Sequence, residues 1–500
     1  MGNTTLLRGA RASRLNQPKM EHFLEKLYPY LPVCAQNLGI SLYGLAYRQE
    51  RLGGRFNDYV NGFREREVWS EDRMSAYLDQ ELRRVLLRAF DQTEYSQRWA
   101  ACGITRPDLE RFRVADLPKL PLLPKADLRS RSEQLIARDV PANKVHRYVS
   151  SGTTGTPVTS FCTSEDHRRF FAAREARSFN WAEVSIFQPR AMIGGRMITP
   201  HASARPPYYR YNFAERQVYF TAYHIAPQTV WNYVEGLNRY QPGILTGYAY
   251  SHFLLARLML EQELQLVYQP QAIIVGSEKL TPEMRTVVEQ AFHAPVYEEY
   301  GAVEQCFLVT QCENGSLHVS SDFGIIEIVD DQGSPVSPGI EGRIVATGLL
   351  NETQLLIRYD LGDIGTFSPR RCDCGRSLPV LTDLVGRLED VIISPDGREM
   401  VRLDKVFLGM AHVIEAQVIQ EEIKLIRVRL VADKLFDDAD EALIRTRLAT
   451  ERLGDVQVVI EKVDLLERTE RGKFRAVISK ISAEQRSALK KRLRTSSASH

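Results

Sequence analysis

Four residues in two distant segments carry the side chains of a metal site. Cys312 and His318 are separated by five residues, and Cys372 and Cys374 by one. Three thiolates and one imidazole suit tetrahedral Zn2+. With every position filled by protein, such an ion is structural and activates no water. The spacing is not that of a zinc finger, so the fold must carry residues 312–318 and 372–374 to one place. Gly375 relaxes the turn after the second pair, and Cys306 is a spare ligand. The competing reading is four reduced cysteine and histidine side chains, each buried separately. Cys34, Cys102 and Cys162 read as ordinary thiols. Seven cysteines in 500 residues make no disulfide framework and fit a reducing, cytoplasmic setting.

A second chemical segment is Ser150-Ser151-Gly152-Thr153-Thr154-Gly155-Thr156-Pro157. Its glycines permit tight turns. Successive N–H groups in such a turn form an anion nest, and the hydroxyls add donors for phosphate oxygens. The segment does not match GxxxxGK[ST], which argues against a nucleoside triphosphatase of that type. On its own it is still only a turn.

Four further segments give this loop a context: Tyr297-Glu298-Glu299-Tyr300-Gly301-Ala302-Val303-Glu304, Ile357-Arg358-Tyr359-Asp360-Leu361-Gly362-Asp363, Gly386-Arg387-Leu388-Glu389-Asp390, and the Gly-Lys-Phe-Arg element within 469–475. Their order and separations resemble the adenylate-forming superfamily, and within it the phenylacetate–CoA ligase branch with its capsule-biosynthesis-associated relatives. The resemblance covers roughly residues 75–478. It implies an α/β multidomain fold with a large N-terminal domain and a small, mobile α+β C-terminal domain. It also implies that Ser151, Thr153, Thr154 and Gly155 hold the β- and γ-phosphates of ATP. Glu304 matches the acidic residue associated with Mg2+ and ATP, Tyr300 the aromatic residue near adenine, and Asp363 the acceptor for the ribose hydroxyls. Arg387 matches a nucleotide contact at the domain junction. Glu389 or Asp390 matches the hinge, and Lys473 the mobile lysine that reaches the substrate carboxylate and α-phosphate.

Two departures bear on these roles. Thr156 replaces the lysine common at the end of the loop, which removes a cation beside pyrophosphate. Glu389 stands where aspartate is usual. The retained Lys473 favours retained adenylation. The same resemblance directs residues 194–250 to the acyl pocket. Tyr208, Tyr209, Tyr211, Tyr219, Phe220, Tyr223 and His224 form an aromatic stretch there. Aromatic rings hold a flat apolar acid, and tyrosine hydroxyls orient it. For any one ring, core packing is the competing reading. Tyr248 and Gly276 lie near pocket positions of relatives, and Arg196 is an anion-contact candidate.

The expected activity is ATP-dependent conversion of an aromatic or medium-sized carboxylic acid to an acyl-adenylate, with transfer to coenzyme A. The alternatives are transfer to an amine, hydroxyl or carrier-protein thiol, and a noncatalytic acyl-binding protein. A homodimer is the general expectation for such a chain.

Definite elements must position these residues. Residues 21–135 read as helical, with apolar positions at three and four spacing around Met74–Phe90. Pro118, Pro121 and Pro124 mark an ordered, non-helical connection. An extended–turn–extended pattern spans 145–165, and Ser164 can cap the helix that follows. Between 190 and 350, short apolar runs at Ala191–Ile198, Gln271–Val275, Val296–Tyr300 and Gly324–Val329 alternate with amphipathic stretches at Pro227–Leu237, Ser251–Glu263 and Pro282–Phe292. That alternation predicts a layered α/β domain. Beyond a break near Gly386–Asp390, strands at Leu425–Val431 and Val456–Val463 and a helix at Asp438–Leu453 predict a small α+β domain. The expected divisions are a helical scaffold at 1–135 within the large domain, the ATP- and acyl-binding core at 136–386, the small domain at 387–480 and a basic polar tail at 481–500.

Composition excludes other classes. The chain is 44% hydrophobic and 26% charged, with a formal charge of +2, so nothing favours nucleic acid as a partner. No span reaches about 18 uninterrupted apolar residues. The nearest, Ile244 to Leu260, is broken by His252 and Arg257. The first residues lack the long apolar core of a signal peptide, and Leu6 stands where a myristoylation motif wants Ser or Thr.

Overall fold

The computed structural model describes residues 28–149, 158–196, 198, 205–278, 280, 282–385, 392–400, 403–407, 409–410, 412–464, 466, 477–482, 485 and 488–489. Ser151, Thr153, Thr154, Gly155, Thr156, Arg387, Glu389, Asp390 and Lys473 lie outside them.

Helices lead, as the spacing predicts. On Glu71–Gln92 the buried Leu82, Val85, Leu86 and Ala89 form one face, and Ser70 caps its first turn by accepting from Arg73 N. Fully burying a leucine or valine contributes about 1.5–3 kcal/mol each. This face packs with Tyr95 and Trp99 against strands as distant as Tyr359–Phe367. The helix Ser164–Arg174 forms as expected, but its cap is Thr163. Asp166 returns the bond to the Thr163 N–H, which makes a reciprocal capping box that Ser164 does not supply. Pro118 lies inside a short 3-10 turn, Val114–Lys119. The connection is therefore not wholly non-helical.

The main sheet has 12 strands among the described residues. In spatial order they are Gly324–Val329, Gly342–Gly348, Tyr359–Phe367, Val380–Val385, Leu317–Val319, Leu308–Gln311, Val296–Gly301, Ala272–Gly276, Ile244–Tyr248, Arg190–Gly194, Gln217–Thr221 and Tyr209–Asn212. From Val296–Gly301 to Gln217–Thr221 the neighbours are parallel. The helices Val230–Tyr240, Ala249–Glu261 and Pro282–Phe292 make the crossovers that parallel pairing requires. The remaining pairs are antiparallel.

A second sheet of four strands has the order Gln457–Lys462, Leu425–Ala432, Val413–Glu422, Val477–Ser479, with the helix Asp438–Leu448 beside it. Its apolar cluster includes Ile426, Val428, Leu430, Ile444 and Leu448. This is a small α+β unit next to the large mixed one. Among the described residues no helix is long and apolar enough to cross a membrane.

Candidate functional site

Five parallel strands end on one edge of the main sheet, and the pocket residues expected from the sequence gather there. Gly195 follows the strand Arg190–Gly194, and Tyr223 and His224 follow Gln217–Thr221. Tyr248 and Gly276 close two of the other three, and Tyr300 stands one residue before the end of the third. In an open α/β sheet this carboxyl edge is where ligands bind, because the loops diverge there and leave a crevice.

Close packing sets the floor of that crevice. A Cβ on Gly195 would lie 2.6 Å from the Tyr248 hydroxyl and 3.1 Å from that of Tyr223. The Tyr223 hydroxyl donates to Gly195 O at 3.3 Å. The strand expected to run to Ile198 ends at Gly194, where the chain gives way to these two hydroxyls. Gly276 is equally constrained, since a Cβ there would meet Glu299 O at 2.6 Å. His224 stacks on Tyr208 with ring centres 4.8 Å apart. Tyr209 turns instead into the core, against Phe220 and beneath Gly236.

Next to this crevice, the 297–304 and 357–363 motifs meet. The Tyr300 hydroxyl donates to Asp363 Oδ2 at 2.8 Å, and the Tyr359 hydroxyl donates to Glu304 Oε1 at 2.9 Å. Glu304 is buried, yet it forms no ion pair among the described residues. A buried carboxylate without a counter-charge is costly, so this donor suits a hard cation such as Mg2+, which takes oxygen ligands.

Cys312, His318, Cys372 and Cys374 come together, with their ligand atoms all within 4.8 Å of one another. The cause is strand pairing. Leu317 and His318 face Leu381 and Val380, which carries the 372–374 turn to the 312–318 hairpin. Cys312 Sγ and Cys372 Sγ are 3.7 Å apart, and Cys374 Sγ and His318 Nε2 are 3.3 Å apart. Zn–S and Zn–N bonds at tetrahedral angles require about 3.8 and 3.6 Å. His318 Nδ1 lies 3.0 Å from Leu378 O, a bond in which the ring nitrogen donates and leaves Nε2 facing the thiols. The Trp181 ring packs edge-on to His318, with the Arg376 guanidinium over Trp181. Burial pushes the Cys312 thiol up to about 12, so the thiolate form there needs a cation.

Sequence reasoning singled out neither Tyr359 nor Arg398. Tyr359 stands inside the quoted Ile357–Asp363 motif, and its partner emerges only from the fold. Arg398 belongs to the hairpin Ile392–Ile393/Glu399–Met400. Its guanidinium donates to Tyr223 O at 3.0 Å and pairs with Asp396 at 2.8 Å. Tyr223 also packs into the apolar cluster of the small unit. Tyr223 thus contacts both the main sheet's loop and the small unit.

The profile of the CapK C-terminal domain matches residues 392–480. Protein CapK of Staphylococcus aureus is 26% identical over 480 residues, covering 92% of this chain and 100% of that one. A phenylacetate-coenzyme A ligase of Thermus thermophilus is 25% identical over 464 residues, covering 83% and 98%. Among solved structures, a 2-hydroxyisobutyryl-CoA ligase in complex with 2-HIB-AMP and CoA in the thioesterification state shares the fold with a TM-score of 0.57. It is 19% identical and covers 86% of this chain and 94% of its own.

Proposed function

We propose that the chain acts as its phenylacetate–CoA ligase-like relatives suggest: it activates a carboxylic acid with ATP through an acyl-adenylate and passes the acyl group to coenzyme A. In the first step a carboxylate oxygen bonds to the α-phosphorus, the α–β anhydride bond breaks, and pyrophosphate leaves. The substrate brings its own nucleophile, so the protein's task is positioning and charge stabilisation.

The observation that carries this reading is the meeting of the two motifs at the carboxyl edge of the sheet, with Glu304 and Asp363 each held by a tyrosine. Glu304 holds Mg2+, and Asp363 accepts from the ribose hydroxyls beside Tyr300. Bound Mg2+ supplies positive charge against the phosphate oxygens. Ser151, Thr153, Thr154 and Gly155 donate to the β- and γ-phosphates, and Lys473 reaches the carboxylate and α-phosphate. Arg387 contacts the nucleotide, and the small domain (387–480) turns about Glu389 or Asp390.

The acid lies against Tyr223, His224, Tyr248 and Gly276, with Tyr208 and Tyr209 behind them. An aromatic or medium-sized acid fits such a wall. Zn2+ on Cys312, His318, Cys372 and Cys374 ties two segments of the large domain and takes no part in the chemistry. The protein works in the cytoplasm, as a homodimer. A second reading keeps the adenylation and changes the acceptor to an amine, a hydroxyl or a carrier-protein thiol.

A pyrophosphate-release screen across carboxylic acids, with acceptors varied, separates these readings. The first predicts acid-dependent pyrophosphate and CoA-dependent AMP. Acid-dependent pyrophosphate that never couples to CoA moves the assignment to the second reading. No acid dependence at all removes both.

A further inference from the structure

The two hydrogen bonds at the proposed nucleotide site are reciprocal. The 297–304 motif supplies Tyr300 to Asp363, and the 357–363 motif supplies Tyr359 to Glu304. The partners are 63 and 55 residues apart. Three strands separate Val296–Gly301 from Tyr359–Phe367 in the sheet order. The fold nevertheless brings their ends within hydrogen-bond reach across that gap.

The two members of the Tyr359–Glu304 pair are supported very differently. Tyr359 is fully buried, and its strand is held from outside by the proline-rich segment. Leu123 N donates to Arg358 O at 2.8 Å, and Asp360 N donates to Leu123 O at 3.0 Å. The neighbouring Arg358 guanidinium donates to Leu120 O at 2.6 Å and to Gly333 O at 2.7 Å. Glu304 stands in a turn beyond its strand, next to Gln305 with φ of 51°. A glutamate has three side-chain torsions to immobilise, and fixing them is entropically costly. The phenol is the rigid member, and the carboxylate is the one that needs orienting.

We propose that Tyr359 is a positioning residue for Glu304: its hydroxyl holds Oε1 so that the other carboxylate oxygen is presented to the divalent cation that accompanies ATP. The inference rests on the cation-binding reading of Glu304. Partners that hydrogen-bond a metal-binding carboxylate set its orientation, and their loss typically costs roughly 10–100-fold in metal affinity.

Tyr359→Phe keeps the ring and removes only the hydroxyl. The measurement is calorimetric binding of ATP to the full chain across a Mg2+ or Mn2+ titration, together with AMP binding without metal. The variant should need roughly 10–100-fold more cation for half-maximal ATP binding. Its metal-free AMP affinity and melting temperature should stay at wild-type values. In a Glu304→Gln background the same replacement should change nothing further, since no carboxylate remains to orient. A Tyr359→Phe protein with the wild-type cation requirement, beside a Glu304→Gln protein that has lost it, overturns the proposal and leaves the reading of Glu304 intact. So does a Tyr359→Phe protein that loses metal-free AMP affinity equally, because that is general damage. A wild-type cation requirement in Glu304→Gln overturns the reading itself. If Tyr359→Phe fails to fold, Glu304→Asp retains the charge and shortens the reach to the phenol. It should show the same cation-specific loss, and an unchanged requirement overturns the proposal.

Discussion

In the proposed chemistry, Glu304 carries the most at the scale of single residues. It is a buried carboxylate that no basic side chain neutralises among the described residues. Glu304→Gln should lower kcat/KM for ATP by roughly 100-fold or more, because charge on the phosphoryl oxygens goes uncompensated. Raising Mg2+ should recover part of that loss, which steady-state kinetics at several Mg2+ concentrations will read. Motif spacing singled out Glu304, Tyr300 and Asp363, since each stands in a short glycine-containing segment, and the fold brings these segments together. It was silent on Tyr359, whose partner is 55 residues away and is reached only through the shape of the sheet. The aromatic stretch shows the opposite limit. Tyr208 and Tyr209 are adjacent in sequence, but one ring stacks on His224 and the other packs under Gly236. Alternation along an extended chain separates them.

The metal cluster shows what an element supplies. Residue types suggested a ligand set, and the antiparallel pairing of Leu317–Val319 with Val380–Val385 brings those four side chains together. Cys374→Ser should lower the metal content measured by elemental analysis and destabilise the large domain by on the order of 3 kcal/mol. Adenylation by the protein that remains folded should be spared. Full metal content in the variant would remove Cys374 from the ligand set.

The helix Ala249–Glu261 carries a pH-dependent contribution of its own. Burial lowers His252 from 6.5 to about 4. Between these values the unfolded chain binds the proton and the folded chain does not, so stability rises with pH. The contribution is complete above 6.5 and is lost as pH falls towards about 4. It amounts to about 3 kcal/mol at most. Urea midpoints between those pH values should fall more steeply for the wild type than for His252→Gln. Parallel curves would mean that folding leaves the protonation of His252 unchanged.

Elements were read best where one periodicity ran unbroken. Gly324–Val329 and Pro282–Phe292 form over the expected residues. The strand after residue 190 was read too long, because its apolar pattern continues past Gly194 while the space beside Gly195 is taken by two tyrosine hydroxyls.

The whole molecule joins a large mixed sheet to a small α+β unit, and the join lies at the crevice. Arg398 and the packing of Tyr223 into the small unit make Tyr223 a contact common to both. In the proposed cycle, a turn of the small domain therefore disturbs the acyl pocket directly. This coupling could not be read from the sequence, since Arg398 and Tyr223 are 175 residues apart and Arg398 belongs to no motif. The division into a large unit and a small α+β unit was itself legible from the change in element pattern along the chain. The central claim, acid activation on ATP, is tested most directly by ATP–pyrophosphate exchange with a panel of carboxylic acids, in the wild type and in Lys473→Ala. Exchange should depend on the presence of a suitable acid and fall roughly 100–1,000-fold in the variant. Exchange that no acid stimulates, or that persists unchanged in Lys473→Ala, would contradict it.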